Sequence, residues 1–103
     1  MEVLIKNNKL KELYVKGKSK KYKIPQEILK KFFMGIQQLE AADSIYDLWK
    51  TTSLNFEKLK GFENMYSIRL TKQWRLEMKI EWQNEEKTKG IIDIMELSKH
   101  YGD

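Results

Sequence analysis

Cysteine is absent from this chain of 103 residues, proline and histidine occur once each, and only Arg69 and Arg75 of its 20 basic residues are arginine. Without cysteine there is no disulfide, no thiolate zinc site and no cysteine nucleophile, a usage compatible with a reducing cytoplasm. No stretch is apolar over the length of a membrane span, and Met1-Glu2-Val3-Leu4-Ile5-Lys6 lacks the apolar run of a signal peptide, so a soluble cytoplasmic protein is expected. HExxH, a paired-carboxylate helix and a glycine-rich phosphate loop are all missing, and neither a metal nor a cofactor is expected. His100 is the one side chain whose ordinary pKa suits proton transfer near neutral pH, although a lone histidine in such a place is usually an idle surface group.

What is present is the composition of a folded protein, 41% apolar and 12% aromatic, at a length that suits one domain over residues 1–103. Both arginines fall in one short stretch, Tyr66-Ser67-Ile68-Arg69-Leu70-Thr71-Lys72-Gln73-Trp74-Arg75-Leu76. Tyr66, Ile68 and Leu70 alternate before a polar break, and Trp74, Leu76, Met78, Ile80 and Trp82 alternate after it, the mark of two half-buried strands joined as a hairpin. Both apolar sets must face one core, so Leu70 is expected to pair with Trp74, Ile68 with Leu76 and Tyr66 with Met78. That register sets Arg69 opposite Arg75. Like charges opposite one another are destabilising, so an anion is expected between them, and the planar guanidinium suits phosphate or carboxylate. The alternative is a solvated strand face on which Glu63, Glu77 or Glu81 neutralises the arginines.

The net charge of +5 is unevenly spread, because residues 6–31 hold ten lysines against Glu12 and Glu27. A basic patch of this density fits a polyanionic partner, nucleic acid first, or else a merely solubilising surface. Along the chain, residues 1–6 read as an edge strand. Asn7 or Asn8 caps a short helix that Gly17 stops, and Lys18 to Lys23 form a basic loop. From Pro25 to Ala42 the residues Ile28, Leu29, Phe32, Phe33, Ile36 and Leu39 recur at helical spacing, and the two phenylalanines are assigned to core rather than to base stacking. Ser44 and Asp47 have the shape of a capping box for a helix through Lys50. A second strand is expected from Leu54 to Phe62, then the hairpin strands at 66–71 and 74–83, a polar turn at 84–89, and an interior strand over 91–97. Helices followed by strands give an α+β order, with helices on one face of the sheet and the arginine face left open to a ligand.

Lys60-Gly61, Tyr66-Ser67-Ile68-Arg69, Gln73-Trp74-Arg75 and a last strand ending in histidine together resemble the HigB-type branch of the RelE-like toxins of bacterial type II toxin–antitoxin systems. The likeness extends upstream through Lys9-Leu10-Lys11-Glu12-Leu13-Tyr14, Gly17, Lys23-Ile24 and residues 41–48. It implies a RelE-like fold of two N-terminal helices packed on one face of a small, mainly antiparallel sheet. It also implies a ribosome-dependent endoribonuclease cutting messenger RNA during translation, and a cognate helix-turn-helix antitoxin that neutralises it, forming a toxin–antitoxin heterotetramer. Metal-free RNA cleavage must position the phosphate, stabilise charge on its oxygens and move two protons. Lys60, Arg69 and Arg75 are the candidates for the charge and His100 for a proton. The chain departs from the family pattern at Glu57, where many members have histidine, and at Ser98-Lys99-His100, where many have Asp-Tyr-His, so Glu57, Lys99 and Tyr101 are further candidates for the acid and base. Lys18, Lys20, Lys21, Lys23, Lys72 and Lys99 are the expected RNA and ribosome contacts. A competing reading from another class is a non-catalytic basic module that binds nucleic acid or an acidic protein through residues 6–31.

Overall fold

A computed structural model describes residues 1–99. The elements follow in the order β1 (Val3–Leu4), α1 (Asn8–Lys16), α2 (Gln26–Ala41), α3 (Ile45–Lys50), a 3₁₀ turn (Thr52–Leu54), β2 (Glu57–Lys58), β3 (Met65–Arg69), β4 (Trp74–Trp82) and β5 (Gly90–Lys99). Helix α1 begins where Asn7 Oδ1 accepts the backbone N–H of Lys9 at 2.9 Å and of Leu10 at 3.1 Å. It ends at Gly17, whose φ of 74° lets its N–H return to the Leu13 carbonyl. Pro25 stands just before α2, and Asp47 accepts from the N–H groups of Asp43 and Ser44 to open α3.

The strands form one sheet in the order β1-β5-β4-β3-β2, antiparallel except for β1 beside β5. Tyr66, Ile68, Leu76, Met78, Ile80, Ile92, Ile94 and Leu97 enter one core with Leu10 and Leu13 of α1, Phe32, Ile36 and Leu39 of α2, and Ile45 and Leu48 of α3. All three helices therefore pack on the same face. Phe32 is fully buried and Phe33 is half-buried against the core, with Tyr14 edge-on to both rings, so the assignment of these phenylalanines to core holds.

The hairpin has the register that the apolar pattern demands: Tyr66 pairs with Met78, Ile68 with Leu76 and Arg69 with Arg75, while the N–H of Leu70 reaches the Trp74 carbonyl at 2.8 Å. The expected strand over 54–62 shrinks to Glu57–Lys58. Leu54 and Phe56 are buried as their spacing requires, but Leu54 lies in the 3₁₀ turn and Asn55 takes a left-handed φ of 44°, which bends the chain out of an extended course. Beyond Lys58 the chain turns at once, and Gly61 has a φ of 81°. Strand β5 is interior, as its two apolar faces imply, but β1 covers only Ile92 and Asp93. A bulge separates the pairs Glu77–Glu96 and Met78–Ile94, leaving Met95 extra. It allows Ile94 and Leu97, three apart, both to face the core, and it turns Ser98 outward opposite Arg75.

Candidate active site

On the face away from the helices, the pairings line up side chains in two rows. One runs Arg69, Arg75, Ser98 across β3, β4 and β5; the next runs Glu57, Ser67, Glu77, Glu96 from β2 to β5. The rows stand two residues apart along each strand, roughly 6.6 Å. A basic row thus borders an acidic one, and the contacts between them are diagonal.

Arg75 Nη1 lies 4.0 Å from Glu57 Oε2, and the Arg75 side chain is only 16% exposed. Arg75 is on β4 and Glu57 on β2, so this contact bridges β3, and the residue of β3 paired with Glu57 is Ser67, small and buried. Glu57 is steadied from its other oxygen, where Oε1 accepts a hydrogen bond from Asn55 Nδ2 at 2.7 Å. The left-handed turn at Asn55 therefore does two things: it ends the 3₁₀ turn and it aims an amide at Glu57. The second diagonal is Ser98 Oγ donating to Glu77 Oε2 at 2.9 Å. Among the described residues, the carboxylate within 4.0 Å of Arg75 is that of Glu57, rather than of Glu63, Glu77 or Glu81. Arg69 is exposed and also borders a hollow beside α2 lined by Lys31, Met34 and Gln38.

The other sequence candidates distribute unevenly around this pair. Lys72 is exposed at the tip of the β3–β4 turn, which Thr71 Oγ1 closes by accepting the N–H groups of Gln73 and Trp74. Lys99 pairs with Trp74, and its Nζ sits 5.7 Å from the centroid of that indole, on the opposite side of the sheet from Arg75. Lys60 lies in the turn that follows β2, beyond Met65, whereas Arg69 ends β3, at about 3.3 Å per residue some 13 Å of strand from Met65. His100 and Tyr101 lie outside the described residues.

Lys18, Lys20, Lys21 and Lys23 are all exposed in the loop between α1 and α2, several of them around a shallow hollow shared with Lys16 and Glu12. Tyr22, in their midst, is buried, and its hydroxyl donates to Glu96 Oε1 at 2.5 Å. Burial first, then the hydrogen bond and the negative charge of Glu96, push the phenol pKa well above its ordinary value, so the hydroxyl remains a donor. Sequence reasoning missed Asn55 and Ser98 beside the arginine pair, and the contact of Tyr22 with Glu96. The only local signal was Asn55, a residue type that accepts left-handed backbone.

Among the described residues no group of three or more histidine, cysteine, aspartate or glutamate side chains could hold a metal ion, and no helix is long and apolar enough to cross a membrane. The arrangement can hold a doubly liganded anion between the arginines, with a carboxylate alongside to accept a proton.

A comparison with curated proteins finds no match. Among solved structures the chain is similar to a YoeB/ParE toxin from Agrobacterium tumefaciens, at a TM-score of 0.54 and 15% identity over 98% of this chain and 100% of that one, a likeness of fold. The profile of a family described as RelE-like toxin of type II toxin-antitoxin system HigB matches residues 4–95, a span that takes in Glu57, Arg69 and Arg75 and stops short of Ser98. Matched over most of its length and folded as a RelE-like toxin, the chain belongs to the HigB-like toxins of type II toxin–antitoxin systems.

Proposed function

We propose that this chain is a ribosome-dependent endoribonuclease that cleaves messenger RNA during translation without a metal, in the cytoplasm, and that a cognate helix-turn-helix antitoxin neutralises it in a heterotetrameric complex. The observation that carries the reading is the Arg69–Arg75 cross-strand pair with Glu57 4.0 Å from Arg75. In internal transesterification the 2′-oxygen attacks the adjacent phosphorus, the bond to the 5′-oxygen breaks, and a 2′,3′-cyclic phosphate and a 5′-hydroxyl result. Charge builds on the non-bridging oxygens, where guanidinium forks act most strongly. Glu57 accepts the 2′-hydroxyl proton, and His100 returns a proton to the leaving oxygen. The two roles need opposite protonation states.

Opposed arginines cost stability unless an anion lies with them, and here Glu57 fills that place diagonally. A bound phosphate takes over the same partners. Lys60, in the turn that follows β2, is a further source of positive charge for the RNA. Purified protein is to be mixed with translating ribosomes and, separately, with free RNA, magnesium being held at the level the ribosomes require. Cleavage in the first mixture that persists when trace transition metals are chelated is the expected result. Binding to RNA or ribosomes with no cleavage in either mixture would favour the non-catalytic basic module.

A further inference from the structure

The loop between α1 and α2 carries four exposed lysines in six residues, Lys18 to Lys23, yet among the described residues no backbone hydrogen bond ties residues 18–24 to another element. Its two buried side chains within that stretch are Ser19, whose Oγ accepts the N–H of Lys21 inside the loop, and Tyr22. Among the described residues only Tyr22 makes a side-chain hydrogen bond that reaches elsewhere, to Glu96, 74 residues on. Glu96 Oε1 also accepts the N–H of Leu97 at 3.1 Å, so the acceptor is fixed to the backbone of β5. Glu96 stands at the β5 end of the acidic row, two residues from Ser98, which pairs with Arg75. This stretch of β5 lies beyond the reach of β1, which leaves the strand at Asp93 and so leaves room for the loop to approach.

We propose that Tyr22 is a positioning residue: its hydrogen bond to Glu96 holds the lysine loop against the end of β5, so that the loop and the Arg69–Arg75 pair form one continuous anionic-strand surface. The role rests on the RNA-cleaving reading given above. Free lysines on a mobile loop neutralise phosphates only after the loop is ordered, and that ordering weakens binding by the entropy lost; a loop already held in place avoids the loss. The hydroxyl stays protonated across the working pH range, so the clip does not titrate away. Burial of the ring supplies packing, and the hydroxyl supplies the direction.

Tyr22→Phe separates these two contributions, because the ring remains and only the hydroxyl is lost. Glu96→Ala removes the acceptor, whereas Glu96→Gln keeps a carbonyl oxygen that accepts from the phenol. Tryptic cleavage after the loop lysines under native conditions, ribosome binding across a salt series and single-turnover cleavage at saturation are to be measured for each. Tyr22→Phe and Glu96→Ala are expected to speed tryptic cleavage in the loop, to weaken ribosome binding by roughly an order of magnitude at every salt concentration with the slope kept, and to leave the saturated cleavage rate unchanged. Glu96→Gln is expected to behave as the parent chain. Unaltered proteolysis in Tyr22→Phe would show that no clip exists, and faster proteolysis with unaltered binding would show that the loop is not part of the surface. A fall in saturated cleavage with binding intact would also overturn the role, by moving Tyr22 into the chemistry. Failure of the RNA reading shows separately, in a parent chain that neither binds nor cuts on ribosomes.

Discussion

Glu57 and Arg75 face one another across an intervening strand: Oε2 of the first lies 4.0 Å from Nη1 of the second, and the strand between them offers only Ser67 beneath the contact. On the proposed RNA-cleaving reading, a carboxylate in that place serves as counter-ion when RNA is absent and as proton acceptor when a phosphate displaces it. Glu57→Gln distinguishes the two services. The amide oxygen still accepts from Asn55, so the local turn is kept. With one negative charge fewer beside the arginines, RNA binding is expected to hold or tighten, while cleavage falls by roughly 10²-fold or more as the proton acceptor is lost. Cleavage at the parent rate in this variant would assign the base elsewhere.

The hairpin was legible because its apolar residues alternate without interruption on both sides of Thr71-Lys72-Gln73, and a core on one face admits a single register. The same is true of α2, whose buried stripe recurs at helical spacing, and of α1, bracketed by Asn7 and Gly17. The Arg69–Arg75 pairing was legible with the hairpin, but the contacts around that pair were not, since each depends on a break in regular geometry or on distant residues. Asn55 winds backward and shortens β2, so the alternation of Leu54 and Phe56 reported burial correctly and strand wrongly. The bulge at Glu77 and Met78 shifts parity along β5, and only because of it does Ser98 stand beside Arg75 instead of facing the core.

Gly90 opens β5 opposite Trp82, and a Cβ there would come within 2.7 Å of the Glu81 carbonyl oxygen and of Ile80 Cγ2. Backbone cannot yield as a flexible side chain can, so Gly90→Ala is expected to destabilise the fold by about 1–3 kcal/mol. Gly35 provides the contrast. A Cβ there meets only the methyl ends of Leu70 at 3.0 Å and Ile68 at 3.2 Å, and alanine favours the helix by about 1 kcal/mol, so Gly35→Ala should fall near neutral. Denaturant midpoints of the two variants give the comparison, and the reverse order would contradict the packing described.

If the loop lysines neutralise RNA phosphates, they contribute to the salt dependence of binding in a countable way. Each lost contact to a single strand flattens the slope of log affinity against log salt by roughly 0.7. Lys18, Lys20, Lys21 and Lys23 replaced together by glutamine should therefore flatten it by up to about 3, with the melting temperature little changed because all four side chains are exposed. An unchanged slope would place the binding surface outside the loop.

Arg75→Lys tests geometry at constant charge. Lysine offers a point charge on a flexible stem, whereas the guanidinium offers two parallel donors to a phosphate, so ribosome binding is expected to survive while single-turnover cleavage falls by roughly 10²–10³-fold. Arg75 is mostly shielded from solvent and meets Glu57 over a long distance, and lysine leaves a like charge opposite Arg69 as before. The charge balance is unchanged, and the thermal midpoint should move by only a few degrees. His100→Gln is the companion variant: an amide can hydrogen-bond yet cannot exchange a proton near neutral pH, so it too should bind and cut slowly. Growth arrest on induction, read beside a melting curve for each variant, separates the outcomes. Loss of arrest with an intact melt places both residues in the chemistry; full arrest by both variants removes the proposed site, and arrest lost together with a collapsed melt makes their role structural.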